Sequence, residues 1–378
     1  MSSLAHRSSE RPSLPPTTPL PIATAEDAID AQQRLVEAIA EHFPDGAMFR
    51  ADVGVLPGLG QPDTTRRAEL ALAQAFGAQD ACLVQGAGTG AIRAALSAGP
   101  WARDERRLLA HAAPDYSTTG TTLHDGAADV VRVDFDDAAA LDHALAEDPA
   151  RWVYVQHTRQ RLTDRHRPGD VIARARAVGR RVIVDDNYAV YRTPRIGVEY
   201  GASVSAFSLF KLNGPEGVGV VLGDADIVEQ ARAANYSGGG QVQGGQALAA
   251  LQALVMVPLN WAAQARASVE LAELLAAGEV PGIVDARLAN AQDLCVIALL
   301  DRPVAAQVPQ WAARYGAAPY PVGSNSRHEI TPLIYRLSSS TLDAQPELRD
   351  WAVRINPMRA GARLTARILR DAIAGGDR

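Results

Sequence analysis

The sequence has 378 residues, of which 47% are hydrophobic, and a formal net charge of −6 at pH 7. A chain of this size can bury a large core and form about two domains. Its acidic balance argues against a general binder of nucleic acid or of anionic membranes. The two cysteines, Cys82 and Cys295, lie in no CxxC or Cys/His cluster. This argues against a thiol metal site, favours a reducing compartment and predicts that no metal is bound.

The first segments of the chain predict a tail and a helical arm. Residues 1–20 are polar and proline-rich without an apolar h-region, so they predict a disordered tail and no secretory signal. Residues 21–44 form an amphipathic pattern, which predicts a helix within an N-terminal arm of residues 21–50. We expect this helix to pack on the body of the protein or on a partner subunit.

Residues 51–255 have the pattern of a large α/β domain. Apolar runs alternate with alanine- and arginine-rich helical segments, which predicts crossover units and a mainly parallel sheet covered on both faces. The seven predicted strands are 81–85, 107–112, 130–135, 152–156, 181–186, 204–208 and 217–223. The link between the last two is short, and it predicts an antiparallel pair there.

The pattern changes near residue 255, where a smaller α+β domain of residues 256–378 is expected. Residues 247–265 are apolar but interrupted by polar residues and Pro258, which predicts a long, mostly buried helix rather than a membrane span. Strands are predicted at 293–300 and 333–339, and a last helix at 360–375. We therefore expect a cytoplasmic protein that binds no membrane.

The first strand of the large domain ends in a glycine-rich turn. Gly86-Ala87-Gly88-Thr89-Gly90 precedes a predicted helix, where free N–H groups and the helix dipole favour a phosphate. The turn matches GxGxxA, but the next strand ends at 111–114 without the acid that would hold a dinucleotide ribose. A single phosphate or mononucleotide is favoured over a dinucleotide as the ligand. The remaining alternative is a tight turn that binds no ligand.

Other strand ends carry groups that suit an aromatic aldehyde. Tyr116 can stack on a flat ring, His157 is a polar group at the sheet edge, and Asp185 needs a cationic partner if it is buried. Lys211 is a desolvated amine because its neighbours are apolar: Phe207, Leu209, Phe210 and Leu212. Together with the phosphate site, this set predicts pyridoxal phosphate, with Lys211 forming the Schiff base and Asp185 facing the ring nitrogen.

These motifs resemble the fold-type I superfamily of pyridoxal-phosphate enzymes, in its class-V aminotransferase and cystathionine-synthase-like branches. The segment 208–211 is similar to the family's SxxK, and 184–188 is similar to its "VDNTF" and "DxxY" strand ends. The chain also resembles the YhfS-like bacterial proteins, over roughly residues 28–375. Their motifs here include PGLGQP, LVQGAGTGAIRA, DDNYAV, FKLNGPEGVG and RINPMR. The lysine loop is also similar to the selenocysteine synthase-like group, which includes sugar-acid ammonia lyases.

The resemblance implies roles for particular residues. Lys211 and Asp185 are the catalytic pair, and Arg354 holds the substrate carboxylate, with Arg336 as a second candidate. The cofactor-binding residues are Gly86, Ala87, Gly88, Thr89, Gly90, Tyr116, His157, Asp185, Tyr188, Ser208, Lys211, Tyr236 and Gly238. The family usually has Asn where this chain has 156–159, which puts the contact to the ring hydroxyl in question. The resemblance also implies a homodimer with shared active sites.

The expected activity is that of an enzyme acting on a small-molecule amino acid through a Lys211 Schiff base and a Cα carbanion. The nearest branches favour β- or γ-elimination or replacement, with an aminotransferase as the alternative. Rivals from other classes are a nucleotide-dependent oxidoreductase and a catalytically inert protein with this fold. Residue patterns leave open the substrate side chain, the choice between dimer and tetramer, and the role of the loop at 322–332.

Overall fold

A computed structural model of the chain describes residues 10–44, 46–236, 240–291, 293–319 and 330–376. The chain divides into two units. The large unit comprises Leu20–Arg159 and Arg165–Ala263, and the small unit comprises Met1–Pro19, Gln160–Asp164 and Gln264–Arg378. The long C-terminal part of the small unit begins at Gln264, and the domain boundary near residue 255 stays a prediction from the change of pattern. The predicted arm of residues 21–50 belongs to the large unit.

The large unit is built on a mixed sheet of seven strands. They are β1 (Asp80–Gln85), β2 (Arg107–His111), β3 (Asp129–Val133), β4 (Trp152–Gln156), β5 (Arg181–Asp185), β6 (Val204–Ser208) and β7 (Val218–Gly223). Their order is β1-β7-β6-β5-β4-β2-β3, and β7 alone runs antiparallel to both of its neighbours. This confirms the predicted α/β class. The antiparallel pairing of β6 with β7 agrees with the prediction made from the short link between them.

Helices cover both faces of this sheet. They are α1 (Ala25–His42), α2 (Asp63–Ala75), α3 (Ala87–Ala98), α4 (Ser117–Asp125), α5 (Ala138–Glu147), α6 (Pro168–Ala177) and α7 (Ala225–Ala234). Successive strand side chains alternate between faces. In β5, Val182 and Val184 pack against α5 and α6, while Ile183 packs in a cluster with α3 and α7. Burial of each such side chain contributes roughly 1.5–3 kcal/mol, which explains why the strands read as continuous apolar runs.

The N-terminal helix α1 packs on its own chain. Thr24 and Asp27 form a capping box, because each side chain accepts a hydrogen bond from the backbone N–H of the other. The side chain of Gln32 donates to the carbonyl of Val255, at 2.7 Å. That carbonyl belongs to α8 (Gly244–Ala276), the long helix with Pro258 inside it. By length and composition α8 is apolar enough to cross a membrane, a test that core helices of soluble proteins also pass.

The small unit is an antiparallel sheet with helices. Its strands are β8 (Ile283–Ala291), β9 (Asp293–Leu300), β10 (Leu333–Arg336) and β11 (Ala352–Asn356), in the order β10-β11-β9-β8. Its helices are α9 (Val308–Arg314), α10 (Ser339–Ala344) and α11 (Gly361–Gly375). The pattern analysis predicted β9, β10 and α11 but assigned no strand to β8 or β11. In β8 polar residues interrupt the apolar ones, and β11 is only five residues long.

The proline-rich tail differs from its prediction. Composition predicts disorder for residues 1–20, yet residues 10–19 lie in the small unit as a segment without regular secondary structure. Leu14 is buried in a cluster with Leu162. Thr17 donates to the carbonyl of Leu288 at 2.8 Å, and Arg287 donates to the carbonyl of Pro15. One apolar anchor and a few backbone contacts are thus enough to order a segment whose composition lacks the apolar content of a core.

A buried ion cluster joins α2 and α7 to β1. Glu69 is fully buried and accepts hydrogen bonds from the Leu83 N–H, at 2.9 Å, and from Arg232, at 3.3 Å. Arg232 also reaches Asp80, at 2.8 Å, and Arg66 contacts both acids. Burial raises the pKa of Glu69, and the charge of Arg232 acts in the opposite direction. The cluster fixes the edge strand from which the glycine-rich turn leaves.

Replacing Arg232 by Met should lower the free energy of unfolding by about 3 kcal/mol, because Glu69 then stays buried with less compensating charge. The matched control is Arg174→Met. Arg174 pairs with Asp142 at an exposed position, where solvent screens the pair, so its loss should cost much less than the loss of Arg232. Urea unfolding of both variants measures the difference. Equal losses would contradict a specific role for the buried cluster.

Candidate active site

The predicted site residues of the large unit meet at one edge of its sheet. Strands β4, β5 and β6 are parallel, so their carboxyl ends lie on the same side. Because β7 is antiparallel to both β6 and β1, β1 points the same way as β6. The glycine-rich turn after β1 therefore leaves the sheet at the edge where Asp185 and Ser208 end their strands.

Lys211 lies on a short 3-10 turn, Phe210–Leu212, that follows β6 directly. It is 7% exposed, and its Nζ lies 4.1 Å from the ring centre of Tyr188 and 5.7 Å from that of Tyr116. Nζ donates to the Oδ1 atom of Asn187 at 3.3 Å. Lys211 is also the only lysine in the sequence. The chain thus has a single side-chain amine, and that amine is buried between aromatic rings.

Asp185 ends β5 as a buried carboxylate, 4% exposed. Its Oδ1 accepts hydrogen bonds from the backbone N–H of Asn187, at 3.0 Å, and from the Asn187 side chain, at 2.7 Å. The hydroxyl of Tyr154 donates to Oδ2 at 3.4 Å. Burial raises the pKa of Asp185, while the charge of Lys211 and the Asn187 hydrogen bonds act to lower it. A cationic group beside this carboxylate would favour its ionised form.

Tyr154 stays a hydrogen-bond donor to Asp185. Burial raises the pKa of its hydroxyl well above the usual range, and the nearby charge of Asp185 raises it further. The hydroxyl is therefore protonated at neutral pH.

The glycine-rich turn has a backbone shape that few residues tolerate. Gly86 and Ala87 have φ values of +96° and +54°, in the left-handed region. Their N–H groups both donate to the carbonyl of Gly217, at 2.7 and 2.9 Å. The helix α3 then begins without a side-chain cap. The N–H groups of Gly88 and Thr89 lie in its first turn, where no helix carbonyl precedes them to accept a hydrogen bond.

Glycine is required at two further positions of this turn. A Cβ atom at Gly90 would lie 2.1 Å from the carbonyl oxygen of Gln85. At Gly88 it would lie 2.5 Å from Oδ1 of Asn187. Side chains at these two positions would therefore overlap neighbouring atoms, and glycine gives the backbone at the start of α3, here called the cradle, its shape.

Ser208 supplies a hydroxyl that suits an anion. It is 1% exposed, and its Oγ has no hydrogen-bond partner among the residues the structure describes. A buried hydroxyl without a partner costs free energy, which an anionic oxygen would recover. Its strand partner Gly219 lies against Ala87, because a Cβ at Gly219 would be 2.2 Å from the Ala87 carbonyl oxygen. The cradle, the helix N-terminus and this hydroxyl fit a phosphate.

His157 is paired with an acid other than Asp185. Its Nδ1 lies 2.6 Å from Oδ1 of Asp186, and both residues are buried. Asp186 also accepts the N–H of Gly197, and the His157 ring lies 6.4 Å from the ring of Tyr200. The predicted contact between His157 and a cofactor stays a prediction.

The remaining predicted site residues differ in their exposure and in the unit to which they belong. Tyr236 is 64% exposed, and Gly238 lies outside the described residues. Arg354 and Arg336 belong to the small unit. Arg354 is buried, with its guanidinium 4.1 Å from the ring centre of Tyr335, whereas Arg336 is exposed at the end of β10. The proposed substrate contacts of these two arginines stay predictions.

Asn187 is a site residue that the pattern analysis did not single out. Its side chain contacts Lys211, Asp185 and the backbone N–H of Ser208. The signal was present as a polar amide two residues after the acid of a strand end. Its importance follows from the tertiary arrangement, because it touches residues 21 and 24 positions further along the chain.

Family models match most of the chain. A model described as class-V aminotransferase matches residues 66–248, and one described as the C-terminal domain of YhfS-like proteins matches residues 269–369. The YhfS protein of Escherichia coli (strain K12) is 47% identical over 359 residues, which cover 95% of this chain and 99% of that protein.

Solved structures share the fold. The crystal structure of the pyridoxal-5'-phosphate-dependent protein YhfS from Escherichia coli matches with a TM-score of 0.91 at 47% identity, over 95% of this chain and 99% of that one. A cystathione gamma lyase from Micromonospora echinospora matches with a TM-score of 0.72 at 19% identity, over 91% and 99%. A cystathionine gamma synthase from Xanthomonas oryzae pv. oryzae has a TM-score of 0.67 at 19% identity, over 92% and 98%. The last two show the fold alone.

Replacing Gly88 by Ala should weaken the binding of pyridoxal phosphate about tenfold or more. The added methyl group meets the Asn187 side chain, and overpacking of this kind costs on the order of 1–3 kcal/mol. Absorbance titration of the full chain with the cofactor measures the dissociation constant. Gly245→Ala is the matched control, because a Cβ there meets nothing within 4 Å. Equal affinity of the two variants would contradict the cradle.

Proposed function

Because the chain belongs to the YhfS-like family of pyridoxal-phosphate-dependent proteins, we propose that it is an enzyme that eliminates or replaces a group on the β or γ carbon of an amino acid. One observation carries the proposal. The only lysine of the chain is buried beside an aromatic ring and is linked through Asn187 to a buried carboxylate. An isolated surface lysine would have no such surroundings.

The residues present fit the cofactor. The start of α3 and the Ser208 hydroxyl suit its phosphate, Asp185 suits a protonated ring nitrogen, and Lys211 suits its aldehyde. When bound, pyridoxal phosphate supplies an aldehyde that condenses with amines and a ring that accepts electrons from the substrate. Tyr116 and Tyr188 flank Lys211 and are the proposed aromatic contacts of the ring.

In this proposal each residue has a defined task. Lys211 takes the proton from the substrate Cα and returns a proton where the product requires one. Asp185 keeps a positive charge on the ring nitrogen through its own negative charge. By the family resemblance, Arg354 binds the substrate carboxylate. Its planar guanidinium can hold both carboxylate oxygens, which would orient the Cα–H bond toward reaction.

An aminotransferase is the second candidate, and the match of residues 66–248 to the class-V aminotransferase model favours it. The two candidates share the proton removal at Cα and differ in where the amino group goes. A nucleotide-dependent oxidoreductase has no support, since the family depends on pyridoxal phosphate. The inert alternative is an outcome of the tests below.

We also propose that the protein acts in the cytoplasm as a homodimer with shared active sites. Support comes from an exposed apolar segment of the large unit. Phe49 is 90% exposed and Val53 is 77% exposed, and Val55, Leu56 and Leu59 follow on the same segment. Contiguous exposed apolar side chains are typical of protein interfaces. The family resemblance adds Tyr236 to the expected contacts at this interface.

The purified protein with pyridoxal phosphate should absorb visible light, and borohydride should fix the cofactor covalently to Lys211. Peptide mass spectrometry locates the label. Lys211 offers the only side-chain amine in the chain, so a single modified side chain is expected. The Lys211→Arg variant should take up no label. A wild-type protein that is colourless after incubation with excess cofactor and removal of the unbound cofactor would refute the proposed function.

The reaction type should appear from products made without an added acceptor. With an amino acid that carries a leaving group on its β or γ carbon, elimination consumes water and releases a 2-oxo acid, ammonium and the protonated leaving group. Transamination instead retains the amino group until a 2-oxo acid is added. We expect ammonium release, absent in Lys211→Arg. Release only of an amino acid made from the added 2-oxo acid would favour the aminotransferase. Failure with every amino acid tested would support the inert alternative.

A further inference from the structure

The Asn187 side chain connects groups of opposite charge. Its Oδ1 accepts hydrogen bonds from the backbone N–H of Ser208, at 3.1 Å, and from Lys211 Nζ, at 3.3 Å. Its Nδ2 donates to Oδ1 of Asp185 at 2.7 Å. One planar amide thus joins the end of β5, the end of β6 and the lysine turn.

The orientation of this amide follows from its partners. The Ser208 N–H is a backbone donor that faces Oδ1, and the Asp185 carboxylate is an acceptor that faces Nδ2. Rotation of the amide by 180° would turn Nδ2 toward the Ser208 N–H and Oδ1 toward the Asp185 carboxylate. A donor would then face a donor, and an acceptor would face an acceptor. The backbone N–H of Asn187 also donates to Asp185, so residue and acid are held at two points.

We propose that Asn187 is a positioning residue that holds the Lys211 amine and the Asp185 carboxylate in a fixed relation. The inference rests on the proposed function, in which these two groups act on the same cofactor. The amide oxygen faces the amine and favours its protonated form, while the amide N–H favours the ionised carboxylate.

This role predicts that two substitutions of Asn187 shift the titration midpoint of the Lys211 amine in opposite directions. In Asn187→Ala the amine loses the Asn187 acceptor, which disfavours the protonated amine. In Asn187→Asp a carboxylate of nearly the same size replaces the amide beside Asp185, and once both carboxylates are ionised they favour the protonated amine more than Asp185 alone. Titratable groups that act on or lie against Lys211 include Asp185 at the end of β5, Tyr188 after it, and Tyr116 before α4. All three are kept in both variants.

The single lysine makes a direct measurement possible. The full chain, labelled with [ε-13C]lysine and freed of cofactor, should give one lysine resonance, because Lys211 is the only lysine. Its chemical shift against pH gives the titration midpoint of the amine. The matched control is Thr158→Ala, because Thr158 Oγ1 donates to the backbone carbonyl of Asn187, at 3.4 Å, and does not contact its amide.

We expect the midpoint to fall by about one pH unit in Asn187→Ala and to rise by about one unit in Asn187→Asp. Thr158→Ala should leave it unchanged. Midpoints that stay at the wild-type value, or that move in the same direction in both variants, would overturn the proposal. Asn187→Asp keeps the size of the side chain, so its upward shift decides the matter even if Asn187→Ala does not fold.

The measurement separates this inference from the proposed function. The lysine resonance is read without pyridoxal phosphate, and the midpoints therefore test the Asn187 contacts alone. Failure of borohydride to attach the cofactor to Lys211 in the unsubstituted protein would refute the proposed function and leave these midpoints as they are.

Discussion

The site depends on keeping an amine and a carboxylate in a place from which water is largely excluded. Lys211 and Asp185 are both buried, and burial of either charge alone is costly. Their attraction offsets part of that cost, and Asn187 lies between them with an acceptor toward one and donors toward the other. A cofactor with an aldehyde and a basic ring nitrogen meets both needs. The buried pair thus defines what the site can bind.

The backbone arrangement around this pair is set by the large sheet. Parallel pairing of β4, β5 and β6 brings their ends together, and the reversed strand β7 allows β1 to join them with the same direction. The turn after β1 then lies within reach of Ser208. This turn needs glycine because its backbone passes close to Gln85 and Asn187. The turn and the buried pair therefore constrain each other's positions. A larger side chain at Gly88 would therefore push against the Asn187 amide that contacts Lys211.

Patterns of residues were enough to predict much of this arrangement. The seven strands of the large sheet are apolar and bounded by turns, so their positions follow from local pattern. Strand ends identified Asp185 and Lys211 as candidates because ligands bind there in open α/β sheets, and the resemblance to the family's SxxK motif added Ser208. The smaller sheet was only partly predicted, since β8 mixes polar with apolar residues. The tail at 10–19 was misjudged because its few contacts are with residues distant in the chain, such as Leu288.

The order of residues alone is enough to place a single lysine after a buried strand, an acid at the end of the neighbouring strand, and a glycine turn at the start of a helix. These are local features, and each has a local physical reason in burial, desolvation or backbone freedom. Only the tertiary structure decided which polar groups meet. It paired His157 with Asp186, left the Ser208 hydroxyl without a hydrogen-bond partner among the described residues, and placed Asn187 between Lys211 and Asp185. Such contacts join separate strands, so no local pattern encodes them.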